Sequence, residues 1–143
     1  MRILVLNGVN LNLTGTRSPE IYGGETLEDI NSEISTYAKN KGIECDFFQT
    51  NFEGELVEAL HKSVGKYDGV VLNAGAWTHY SYAIHDAVEG IAVPVIETHM
   101  SDITKREEFR KFSVLTPVCA ATVMGLGKGS YLKAVDILAE MLK

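Results

Sequence analysis

Five short apolar runs are spaced along this chain, and helix-patterned segments fill the intervals between them. The runs cover residues 3–6, 45–48, 69–72, 95–98 and 119–124. The middle and last runs are close to continuously apolar rather than alternating. Strands covered on both faces read that way, whereas strands with one wet face alternate. The first helix is predicted from Glu25 and Thr26, with Thr26 and Asp29 at capping-box spacing. Leu27, Ile30, Ile34, Tyr37 and Ala38 then fall on one face, and Gly42 supplies the stop. Further helices are predicted over 54–64, 81–88, a short 104–109 segment, and 130 to the C-terminus. This βαβαβαβαβα order has no internal repeat or shift in composition. It predicts one domain over 1–143, with a five-stranded parallel sheet and helices on both faces. The expected fold is α/β, a flavodoxin-like three-layer sandwich of strand order 2-1-3-4-5. Ligands on such sheets bind outside the carboxyl ends of the strands, near the switch between strands 1 and 3.

Composition narrows the function. A net charge of -6, from 13 Lys and Arg against 19 Asp and Glu, argues against a nucleic-acid surface, which needs a basic stripe. No apolar run approaches the roughly 18 residues of a membrane span. The apolar run after Arg2 is too short for a signal peptide. Cys45 and Cys119 form no CxxC or Cys/His cluster. They read as buried free thiols of a cytoplasmic protein, with no zinc site and no disulfide framework.

The polar residues that follow the strands are the informative ones. Asn7, Asn10 and Asn12 follow strand 1. A long connection then holds Arg17, Pro19 and Tyr22, with Gly23 and Gly24 behind them. Long loops in compact domains commonly carry function. Asn73, Trp77 and His79 follow strand 3. Glu97, His99, Met100, Ser101 and Asp102 end strand 4, with Arg106 and Arg110 further on. Each has an ordinary structural use: Asn caps turns after strands, a helical Arg is commonly solvated, and Asp86 on the third helix reads as a surface carboxylate. Two histidines, two arginines and a tyrosine converging on one sheet edge outweigh those single readings.

Other motifs are weaker. The glycines at 125, 127 and 129 lack the full dinucleotide-loop spacing, because Ser130 stands at the sixth position. Thr14-Gly15-Thr16, with Trp77 available to stack on a ring, supports an alternative: an FMN-binding electron carrier on the same fold. A phosphorelay receiver needs acids where Asn7 and Asn73 stand, so it is rejected. Lys128 is the one lysine placed for a Schiff base.

Several stretches together resemble a known family. Asn7-Gly8-Val9-Asn10-Leu11-Asn12, followed by Arg17-Ser18-Pro19-Glu20-Ile21-Tyr22-Gly23, is similar to the N-terminal signature of the type II 3-dehydroquinate dehydratases. The segments 49–56, 73–79, 97–101 with 106–110, and 125–131 resemble its later signatures in order. The family usually has Pro at Val9, His at Phe52, Arg at His85 and Asn at Asp102. The resemblance implies a shikimate- or quinate-pathway enzyme that converts 3-dehydroquinate to 3-dehydroshikimate and water. Neither metal nor cofactor is expected, because the sequence has no metal-ligand spacing and no redox motif. By the same resemblance, Tyr22 removes the C2 proton, Arg17 supports the tyrosinate, and His99 protonates the departing hydroxyl. Asn10, Asn73, His79, Met100, Ser101 and Arg110 bind substrate. Asp86 reaches a neighbouring subunit's site, in a homo-oligomer that is a dodecamer built from trimers. The chemistry agrees with this assignment. A free tyrosine, with a pKa of about 10, is a weak base at neutral pH, and a nearby cation favours its ionised form.

Overall fold

Successive residues of a strand point to opposite faces, and the two cores divide along that line. Ile3 and Val5 pack into one core with Val71, Ile96 and Val123; Leu4 and Leu6 pack into the other with Val70, Leu72 and Val95. A computed structural model describes residues 1–16, 20 and 24–143 of the chain. The expectations for Arg17, Pro19, Tyr22 and Gly23 lie outside the described residues. The strands are β1 (Arg2–Asn7), β2 (Glu44–Gln49), β3 (Gly69–Asn73), β4 (Val95–His99) and β5 (Ala121–Met124). All pairings are parallel, in the order β2-β1-β3-β4-β5. Helices α1 (Leu27–Lys39) and α4 (Gly129–Met141) cover one face, and α2 (Glu53–Ser63) and α3 (Tyr82–Gly90) cover the other. This is the α/β sandwich that the run pattern predicts. The apolar runs of β1 and β3 are continuous because both faces are dry.

The helix starts are set locally. The Thr26 side chain accepts from the Asp29 N–H, and the Asp29 carboxylate accepts from the Thr26 N–H, a complete capping box. Ser81 caps α3 by accepting from the Ile84 N–H at 3.0 Å, and its hydroxyl donates to Glu53 at the start of α2. This bond joins the two helices that share a face.

Two expectations are corrected. Residues 104–109 do not form one helix; they form two 3-10 turns, Ile103–Lys105 and Glu108–Arg110. Asp102 accepts from the Thr104 N–H and closes the first turn. Ile103 is the one buried residue of the two turns, so no apolar face drives an α-helix. β5 also begins two residues late. Pro117 lies in a 3-10 turn, Thr116–Val118, and the Cys119 N–H donates back to Leu115 O at 3.0 Å. As an edge strand β5 buries Val123 alone, so its apolar sequence does not signal cover on both faces.

Candidate active site

The carboxyl ends of β1, β3 and β4 meet at one cleft. Asn7 and Asn73 are the last residues of β1 and β3 and stand side by side in register. The following turns approach closely: the Gly8 N–H donates to Asn73 O at 2.8 Å. A Cβ on Gly8 would lie 2.5 Å from the Ala74 carbonyl oxygen. Gly75 has φ +63, and a Cβ there would lie 2.7 Å from Val9 O. Neither position accepts a side chain without opening the cleft floor.

Among the described residues, Asn73, His79, His99, Met100, Ser101, Arg106 and Arg110 line the cleft, with Val9, Leu11 and Ile103 as its apolar wall. Its cavity volume is about 40 Å³. Six of the expected site residues therefore come together: Asn73, His79, His99, Met100, Ser101 and Arg110. Asn10 and Asp86 stand outside the described lining. Asn10 is exposed, in the left-handed region at φ 68, and its N–H donates to Asn51 Oδ1 at 2.8 Å. Asp86 is exposed on α3 and pairs with His85 Nδ1 at 2.8 Å.

His99 is the most strongly held member. It ends β4, and its Nε2 lies 2.7 Å from Glu97 Oε2. Glu97 is fully buried. Ser113 Oγ donates to Oε2 at 2.6 Å, while Thr116 and Thr122 donate to Oε1 at 2.6 Å and 3.0 Å. Burial alone would push this carboxyl up. The hydrogen bonds from His99, Ser113 and Thr116 win and hold it down to about 2. An ionised carboxylate only accepts, so His99 Nε2 carries hydrogen and Nδ1 is the nitrogen left for the cleft. Sequence reasoning did not assign Glu97 a role. The available signal was its i, i+2 relation to His99, which puts both side chains on one face of a strand.

His79 is set differently. Its Nδ1 lies 2.8 Å from the Phe112 carbonyl. A carbonyl accepts only, so Nδ1 carries hydrogen and Nε2 has the lone pair. Desolvation, together with His99, Arg110 and Arg106 nearby, lowers its pKa against the opposing bond to Phe112 O. His79 is therefore a neutral acceptor near pH 7. Arg110 is held by Glu107, with Nε donating at 3.1 Å, and its guanidinium sits 4.6 Å from the Phe109 ring centroid. Arg106 and Arg110 give the cleft a cationic rim on an acidic protein, which suits an anionic ligand.

Other sequence candidates fall away. Lys128 Nζ bonds Glu25 at 2.7 Å and Glu33 at 3.1 Å, and these bonds raise its pKa. A Schiff-base lysine needs the neutral amine, so Lys128 is not one. Trp77 is buried in the core and does not stack on a bound ring. The Thr14 and Thr16 hydroxyls donate to the Leu11 and Leu13 carbonyls, which takes both from the phosphate loop of the flavin reading. Cys45 and Cys119 are half-buried, and burial pushes their thiols up to about 11 and about 12. Such thiols are poor nucleophiles. Among the described residues, His85, Asp86 and Glu89 have metal-capable spacing; they lie on α3, and none of them lines the cleft.

The sheet order and this cleft define a flavodoxin-like α/β protein whose carboxyl edge carries a cleft lined by two histidines and two arginines. Residues 1–139 match the family described as Dehydroquinase class II, and the chain belongs to that family. It is 50% identical over 137 residues to the 3-dehydroquinate dehydratase of Bacillus pumilus (strain SAFR-032), covering 96% of this chain and 93% of that one. It is 51% identical over 141 residues to the same-named protein of Desulfitobacterium hafniense (strain Y51), covering 99% and 97%. Its structure is similar to the type II dehydroquinase from Butyrivibrio crossotus DSM 2876, with a TM-score of 0.94, 44% identity, and coverage of 96% and 97%.

Proposed function

We infer that this protein eliminates water from 3-dehydroquinate to give 3-dehydroshikimate through an enolate. The observation that carries this reading is the buried Glu97 clamped behind His99, in a cationic cleft of a chain half identical to proteins named for that reaction. Tyr22, as its phenolate beside Arg17, takes the proton from C2. The C2–H electrons enter the C3 carbonyl as an enolate. The enolate then collapses to the C1–C2 double bond, the C1–O bond breaks, and His99 gives the leaving hydroxyl its proton. Water departs, and solvent returns Tyr22 and His99 to their starting states. Asn73, neutral His79, Arg110 and the Met100–Ser101 segment hold the carboxylate and hydroxyls. Asn10 belongs to the same binding set, through the loop it opens.

The test is ultraviolet absorbance of the conjugated enone when purified protein meets 3-dehydroquinate. Product formation supports the reading, and its absence refutes it. A yellow protein without product would favour the flavin carrier, for which neither the relatives nor Trp77 gives support.

The route needs neither metal nor imine. Treatment with a chelator, and with borohydride in the presence of substrate, is expected to leave the rate unchanged. Borohydride inactivation would mean a lysine imine and would overturn the enolate route.

The working form is a homo-oligomer, a dodecamer of trimers in the cytoplasm, with Asp86 reaching a neighbour's cleft. Tyr80, Tyr82, Phe109 and Phe112 support this, because they are large apolar side chains left exposed at the surface. No helix of the described residues is long and apolar enough to cross a membrane. Sedimentation is expected to give an oligomer at micromolar concentration. A fully active monomer would contradict it.

A further inference from the structure

One buried titratable side chain beside the cleft has no part in this reaction. Tyr131 stands in the first turn of α4 and is fully buried. Its hydroxyl nonetheless reaches the ends of β1 and β3. The O–H donates to Asn7 Oδ1 at 2.6 Å, and the oxygen accepts from Asn73 Nδ2 at 2.9 Å. Asn73 Oδ1 in turn accepts from the Gly75 N–H at 3.2 Å.

These bonds fix one another's direction. The Gly75 N–H only donates, so Asn73 must turn its carbonyl towards it. The amide NH2 then faces Tyr131, whose single O–H is already given to Asn7. A flipped Asn73 would set two donors against each other at Gly75. It would also face its carbonyl towards an oxygen with no hydrogen to give. Burial pushes the Tyr131 phenol up, so it stays protonated and the pattern keeps its sense at neutral pH. Asn73 is left with one amide hydrogen and one carbonyl lone pair, and it lines the cleft.

We propose that Tyr131 is a positioning residue for substrate binding, fixing through Asn73 the donor and acceptor that this amide presents to the substrate's oxygens. The proposal rests on the dehydratase reading for the identity of that substrate. Tyr131→Phe keeps the ring and removes the oxygen, so the Asn73 amide loses its partner and its fixed sense. KM for 3-dehydroquinate is expected to rise about tenfold, the scale of one well-placed hydrogen bond. The kcat is expected to stay within about threefold, the pattern of binding lost equally in ground and transition states. In an Asn73→Ala background the same substitution adds nothing to KM, because both act through one amide. An unchanged KM in Tyr131→Phe, or an equal further rise in the Asn73→Ala background, would overturn the proposal. Should Tyr131→Phe fail to fold, Asn7→Leu makes the same test: it frees the Tyr131 O–H to swing to Asn73, and an unchanged KM again overturns it. The Asn73 side-chain amide gives a readout independent of turnover. One of its hydrogens is expected to be protected from exchange in the wild type and to lose that protection in Tyr131→Phe. Protection absent in the wild type overturns the positioning role. Protection present in a wild type that does not convert 3-dehydroquinate counts against the dehydratase reading alone.

Discussion

Tyr22→Phe is expected to lower kcat by about 10²–10⁴-fold, the usual contribution of a positioned acid–base group, while a non-reactive substrate analogue still binds. The substitution removes the one phenol that the N-terminal motif offers as a base and leaves Asn73, His79 and Arg110 to hold the ligand. Removing a proton beside a ketone needs a base stronger than water, and phenol serves only as its anion. Arg17→Ala is expected to lose turnover as well, and its residual rate should climb as pH rises. The sign follows from the ionisation: without the cation the phenolate forms only at higher pH, so the acidic limb of the profile moves up. Rate profiles from the enone absorbance and analogue binding by calorimetry measure both effects. Wild-type turnover in Tyr22→Phe, or an unmoved acidic limb in Arg17→Ala, would remove Tyr22 from the role of base.

The second large effect belongs to Glu97. Each oxygen of this carboxylate accepts two hydrogen bonds, from His99 and Ser113 on one side and from Thr116 and Thr122 on the other. Glu97→Gln keeps the volume and removes the negative charge. His99 must be an imidazolium to give its proton to the leaving hydroxyl, and in the variant that charge would sit in the cleft without its buried counter-ion. An amide also offers a donor to one side of the clamp, so His99 is no longer bound to present Nδ1. The kcat is expected to fall by about 10²–10³-fold, most of a general acid's contribution, with KM little changed. A variant within about threefold of wild type would mean that Glu97 is only a satisfied core carboxylate.

How much of this was legible in the sequence depends on how far apart the interacting residues lie. The strand order and the first helix were readable because their signals are local: continuous apolar runs for strands dry on both faces, and Thr26 with Asp29 within one turn. The 104–109 segment was misread because a charged run with no buried residue of its own, only Ile103 just before it, does not separate an α-helix from two 3-10 turns. The clustering of His79, His99 and Arg110 was readable once the strands were placed, since parallel sheets gather strand ends at one edge. Glu97 was not, because its role depends on hydroxyls 16 to 25 residues away. Tyr131 was further out of reach, bonded to Asn73 and Asn7 from 58 and 124 residues away. Asn10 and Asp86 entered by resemblance, and in this chain neither stands in the described lining of its own cleft.

The central claim is that this cleft dehydrates 3-dehydroquinate with the chain's own side chains, Tyr22 as base and His99, backed by Glu97, as acid. Enone absorbance followed side by side for chelator-treated wild type, Tyr22→Phe and Glu97→Gln tests it most directly. The account predicts full conversion by the wild type and rates lower by about 10²-fold or more in both variants. No enone from the wild type, or undiminished rates in the two variants, would contradict it.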